Sequence, residues 1–294
     1  VLKFTASFLS GSQDIGALGD GASFDSRIYR QALIRNPTDR IYNDAGDYVQ
    51  DGTVLQYVNP VSMIDLTDGD IQSDWVRLNG NITLEPVKGW VNNLFLGSNR
   101  NTNLRGFYEA KEYLGYNGDS RNGFASRYTS KSKTDLLEFT SKYSKSFENH
   151  SFSVLGGYSY QYNINESFYA TNRDFPTNAF GYNNLGQGQG LQNGLASMGS
   201  AKDDNTLVGF FGRVSYSYKS RYNLLASMRR EGSSKFGTNN KWGNFPAVSV
   251  GWNISREEFM ENADFVNNLK LRAGYGETGI IPGQSYLSQS LFSY

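Results

Sequence analysis

The 294-residue sequence has no cysteine, one histidine and six prolines. Without cysteine there is no disulfide framework, no thiolate metal site and no cysteine nucleophile. His150 alone cannot form a multi-histidine metal centre. It lies in a short polar segment, Glu148-Asn149-His150, where a catalytic triad would not converge. Charged residues make up only 19% of the chain, and Lys+Arg and Asp+Glu balance at 28 each. No excess of positive charge points to nucleic acid. No apolar run approaches the roughly 18 residues of a membrane-spanning helix. A membrane crossing by this chain would therefore require a closed β-barrel.

The composition is instead rich in Gly (32), Tyr (20) and Phe (19), with aromatics at 15%. That aromatic content is incompatible with disorder. It favours strands, tight turns and long polar loops.

The hydrophobic period is two. Val76, Leu78, Gly80, Ile82 and Leu84 alternate with Arg77, Asn79, Asn81 and Thr83. Val208, Phe210, Gly212, Val214, Tyr216 and Tyr218 occupy one face, with Gly209, Arg213, Ser215, Ser217 and Lys219 opposite. Tyr222, Leu224, Ala226 and Met228 return after a turn at Ser220-Arg221, and Val248, Val250, Trp252 and Ile254 continue the pattern. Leu269, Leu271, Ala273 and Tyr275 follow, and aromatics gather near strand ends. The pattern predicts strands of about 9–12 residues, the length that crosses a bilayer at a tilt. The connections alternate in length. Short ones lie near 87–89, 148–150 and 219–221, and long ones span roughly 17–70, 103–127 and 167–204. Such parity is expected of short periplasmic turns and long extracellular loops. The 237–243 connection is short for the outer side. The 256–268 segment is long for the inner side and suggests a helical turn.

Several stretches resemble the SusC/RagA family of TonB-dependent outer-membrane transporters of Bacteroidota. They are Arg30-Gln31-Ala32-Leu33-Ile34-Arg35-Asn36-Pro37-Thr38, Asn59-Pro60-Val61-Ser62-Met63, and Asp174-Phe175-Pro176 with Phe180-Gly181-Tyr182. Gly209-Phe210-Phe211-Gly212-Arg213 and Arg230-Glu231-Gly232-Ser233-Ser234-Lys235-Phe236-Gly237 are similar in the same way. The resemblance implies an all-β, antiparallel transmembrane barrel with a plug inside and long extracellular loops. It implies import of glycan or peptide fragments, with TonB supplying energy and a SusD-like surface lipoprotein as a lid. Neither a plug nor a TonB-contacting segment is recognisable. Residues 1–294 are therefore expected to be about nine strands of a larger barrel domain. The opening Val1-Leu2-Lys3-Phe4 is expected to lie within a strand, and closing strands are expected beyond Leu291-Phe292-Ser293-Tyr294.

Tyr169, Phe175, Phe180, Tyr182 and Trp242 are the candidate loop contacts to cargo or lid, because aromatic faces stack on sugar rings or peptide side chains. Packing within the loops is the alternative for each. Arg213, Arg229 and Arg272 fall on the polar side of their strands and are expected to face the lumen. Gly186-Gln187-Gly188-Gln189-Gly190 lacks the lysine and helix of a phosphate-binding loop and is expected to be a flexible external loop. The spacing of Asp65, Asp68, Asp70 and Asp74 does not match a calcium loop. No cofactor, metal or enzymatic chemistry is expected. The working expectation is passage of oligomeric nutrients, glycan first and peptide second, across a lipid outer membrane. A soluble carbohydrate-binding module or an outer-membrane barrel enzyme are the alternatives.

Overall fold

A computed structural model describes residues 1–15, 28–50, 57–115, 120–261 and 266–289. Within them the chain forms one nine-stranded antiparallel sheet in which every strand neighbours the next in sequence. The strands are β1 (Leu2–Asp14), β2 (Thr67–Val87), β3 (Trp90–Glu109), β4 (Phe124–Phe147), β5 (His150–Arg173), β6 (Ser197–Tyr218), β7 (Tyr222–Ser233), β8 (Trp242–Asn253) and β9 (Lys270–Gly276). β1 and β9 each pair on one side only, so the sheet is open. The turns at one end are tight. Lys219 and Ser220 both take positive φ in the three-residue β6–β7 connection, where the Arg221 N–H donates to the Tyr218 carbonyl at 2.9 Å. Gly89 at φ +85° closes the β2–β3 turn, where a Cβ would stand 2.3 Å from the Ser144 carbonyl oxygen.

Strand lengths correct the expectation. β2 to β6 run 20–24 residues, about twice the predicted span. The apolar alternation stops halfway along them, but the hydrogen-bonded ladder continues on polar residues. The loops are correspondingly shorter, and the stretch from Asp68 to Asp74 belongs to β2 rather than to a loop. Parts of the expected 17–70, 103–127 and 256–268 connections lie outside the described residues, as does Leu291–Tyr294. The expected helical turn after β8 is present as two 3-10 turns, Ile254–Arg256 and Glu258–Met260.

Two short helices, α1 (Ile28–Ile34) and α2 (Pro60–Asp65), organise the first long connection. Their hub is Asn59, which is fully buried. Its side chain caps α2 at the Val61 N–H and donates to the carbonyls of Ile41 (3.0 Å) and Val49 (3.1 Å). Buried Gln31 accepts the Val58 N–H at 2.9 Å. A cap of this kind contributes about 1 kcal/mol, and the two extra bonds tie three separate backbone segments together.

Candidate functional site

Residues opposite one another in paired strands point to the same side, so the register defines two faces. One face carries an apolar belt. It includes Ile82, Leu94, Phe139, Tyr158 and Phe210 in one row, and Val154, Val214, Ala226, Val248 and Tyr275 in another. These side chains are uncovered: Val250 is 52% exposed and Leu271 60%. An apolar surface of this extent on an isolated sheet needs an apolar phase or partner against it. The belt is rimmed by rings. Phe147 stacks on His150 at the hairpin end, and Tyr218 stacks on Tyr222 beside them. Tyr158, Phe210 and Trp242 cluster at the other edge. On β6 the eight steps from Phe210 to Tyr218 span about 26 Å along the strand.

The other face is polar, and asparagine dominates it. Ser73 donates to Asn103 (2.8 Å), which donates to Ser130 (3.2 Å). Thr134 donates to Asn163 (2.9 Å), which donates to Asn205 (3.0 Å). The side-chain oxygens of Asn81, Asn99 and Asn101 are buried with no partner among the described residues. Arg213, Arg229 and Arg272 share this face, opposite Ser227, Phe245 and Gly251 respectively. Arg229 is neutralised locally: Nη2 meets Glu231 at 2.7 Å and the guanidinium lies over the Phe211 ring. For Arg213 and Arg272 there is no ion-pair partner among the described residues.

The five aromatic candidates separate. Phe180 is an exposed loop residue. Tyr169 is not in a loop; it lies in β5 on the polar face, opposite Tyr128 and Gly199. Trp242 is also a strand residue, the first of β8, and it packs on Phe210 and under Arg230 at the belt edge. Phe175 is 1% exposed, edge-on to Tyr108 in a small core with Ala125. Tyr182 lies against Gly106, beneath the Arg127 guanidinium. Burial and a hydrogen bond to Asp70 push its hydroxyl up to about 12. Phe175 and Tyr182 thus hold the 174–196 connection in shape.

That connection is ordered, against the expected flexible loop. Asn172, on the belt side of the sheet, donates to the Leu185 (2.8 Å) and Gly188 (2.9 Å) carbonyls. Gly188 and Gly190 approach Asn172 so closely that a Cβ at either would meet it at 2.8 Å. The glycines are there for contact with this strand, not for flexibility.

His150 begins β5 and is not an exposed turn residue. It is half-buried on the belt side, with Nδ1 2.7 Å from the Tyr216 hydroxyl. Among the described residues no three His, Asp or Glu converge on a metal position. Sequence reasoning missed Glu257. Only 8% exposed, it accepts from the Tyr222 hydroxyl (2.6 Å), Trp252 Nε1 (2.8 Å) and Arg221 (3.1 Å), fastening the post-β8 turn to the hairpin end of β7 and β8. The donors are spread over positions 221, 222 and 252, so no local motif marks it.

A family model described as TonB dependent receptor-like, beta-barrel matches residues 10–292. TonB-dependent receptor P3 of Formosa agariphila is 33% identical over 280 residues, covering 94% of this chain and 27% of that protein. TonB-dependent receptor SusC of Bacteroides thetaiotaomicron is 47% identical over 75 residues, 26% of this chain. Among solved structures, the RagAB peptide transporter superposes with a TM-score of 0.74 at 18% identity, over 94% of this chain and 30% of that one. That likeness shows the fold. The chain thus spans between a quarter and a third of the length of the relatives it matches most fully.

Proposed function

The chain belongs to the TonB-dependent receptor-like β-barrel family, and from that premise we propose that it forms part of the wall of an outer-membrane importer for oligomeric nutrients. The observation that carries the reading is the two-faced sheet. A belt of exposed apolar side chains between aromatic rings suits lipid, and the amide-rich reverse face suits a water-filled or plugged lumen. In this reading residues 1–294 are a portion of the barrel domain, and Arg213, Arg229 and Arg272 face the lumen. The rest of the polypeptide supplies the plug and the TonB contact. A SusD-like surface lipoprotein closes the channel from outside.

The outer-wall candidates divide by face. In this reading Tyr169, on the amide-rich face of the tall strands, contacts cargo. Phe180, exposed in a connection packed on the belt side, contacts the lid. Uncharged amides and hydroxyls on the lumen wall offer both donors and acceptors, which suits hydroxyl-rich glycans. Peptide is the second reading, favoured by the RagAB peptide transporter's fold. Uptake of labelled oligosaccharides and peptides by cells carrying the full-length transporter tests this. Uptake of both classes that is equal with and without the transporter gene would remove nutrient import from consideration.

A further inference from the structure

The extracellular end of the wall is uneven. β6 runs up to Ser197, but β7 stops at Ser233, opposite Leu207. Residues 197–206 of β6 therefore pair with β5 on one side and, among the described residues, with no strand on the other. The β7–β8 connection floors the resulting notch. The segment after β9 crosses it: Lys235 Nζ holds the carbonyls of Pro282 (3.0 Å) and Gly283 (2.8 Å), and the Tyr286 hydroxyl meets Asp204 at 2.5 Å.

The direction of the backbone groups is fixed by what they bond. The Thr206 N–H donates to Ser234 (2.8 Å) and the Asp204 N–H to Tyr286 (3.1 Å), both away from β5. The Ser197 N–H points to Thr171 on β5. Alternation along the strand then turns the N–H groups of Lys202, Ser200 and Met198 to the open side. This edge is exposed at Ser197, Met198, Ser200, Ala201 and Lys202, with Lys202 already paired to Glu166. No proline and no bulge interrupts residues 197–203, and the edge's two charges, Lys202 and Asp203, already bond to Glu166 and Ser285.

We propose that the β6 edge at residues 197–203 receives an extended segment of the extracellular lipoprotein lid, adding a strand to the wall by β-augmentation. The proposal rests on the lid partnership stated above. An unpaired backbone ladder recognises another polypeptide backbone. Lipid does not reach it. Ser200 lies ten residues past Phe210, the upper rim of the belt on β6, which is about 33 Å along the strand and about 25 Å in height after tilt. A neighbouring barrel would abut the belt face. The edge instead points along the wall, into the part of the notch beyond the Tyr286–Asp204 contact.

The test uses the full-length transporter in outer-membrane preparations, with the lipoprotein encoded beside it. Ser200→Pro removes an outward N–H and leaves the β5 ladder intact, because Ser200 does not donate to β5. Ser200→Ala keeps the N–H. Wild type and Ser200→Ala should retain the lipoprotein, and Ser200→Pro should retain it at least fivefold less while migrating as a folded barrel. Amide exchange at 198, 200 and 202 in the wild type should slow at least tenfold when the lid is present. If Ser200→Pro does not assemble, the wild-type exchange decides alone. Unchanged exchange with lid bound overturns the edge proposal and leaves the partnership standing. Absence of any lipoprotein on the wild type overturns both. Protection that follows peptide cargo without the lid, or self-association without it, also overturns the proposal.

Discussion

Single residues fasten the ends of this wall, and Glu257 shows how. Its carboxylate accepts hydrogen bonds from Tyr222 and Trp252 and pairs with Arg221, which together hold its pKa below the ordinary glutamate range. A carboxyl whose folded value is depressed contributes stability fully present above its unfolded value, about pH 4.3, and loses it as the pH falls through the lowered folded value. The full-length protein in micelles should therefore unfold more readily as pH drops from 5 toward 3, and Glu257→Gln should flatten that dependence. Equal pH slopes for the two proteins would show that the clasp carries no linkage. At the opposite end, Phe175→Ala removes the centre of the small core under the 174–196 connection. Burial on this scale is worth about 3–5 kcal/mol, more than a local loop can spare. Protease should then cut within 174–196 while the barrel remains intact; an uncut loop would mean that Asn172 alone holds it.

At the scale of strands and loops, the apolar alternation was legible along the belt. The parity of Val208 to Tyr218 and of Tyr222 to Met228 is the parity observed in β6 and β7. Beyond the belt the strands continue on polar residues, the alternation disappears, and strand could not be told from loop. That is why Tyr169 and Asp70 looked like loop residues. The motifs that carried the family resemblance have a physical meaning that the sequence did not reveal. Asn59 and Phe175 are anchors that give the long connections their shape, not contact residues. A direct test of the faces uses adjacent residues of β8. Val250 lies on the belt and Ser249 on the amide-rich side. Val250→Arg should cost about 2–4 kcal/mol in bilayer refolding of the full-length protein, and Ser249→Arg under about 1. A larger penalty at 249 than at 250 would invert the faces and with them the lumen assignment of Arg213, Arg229 and Arg272.

For the whole molecule, the open sheet sets the limit on what these nine strands can do alone. β1 presents a 13-residue outer edge that no described strand pairs, and β9 presents another. In hydrocarbon each unpaired N–H or C=O costs several kcal/mol, so an open edge cannot persist within a bilayer. Water offers no refuge, because there the belt is uncovered: Leu271 and Tyr275 are 60% and 66% exposed. The polar face cannot serve as the core of a sandwich either, since it is built of amides and arginines and would bury them unsatisfied. The 294-residue segment produced by itself should therefore aggregate or join its edges to other copies. Refolding it in detergent micelles, followed by size analysis and single-channel conductance, measures this. A monodisperse monomer with steady conductance would mean that β1 and β9 close on each other, and that the wall needs no further strands to form a pore.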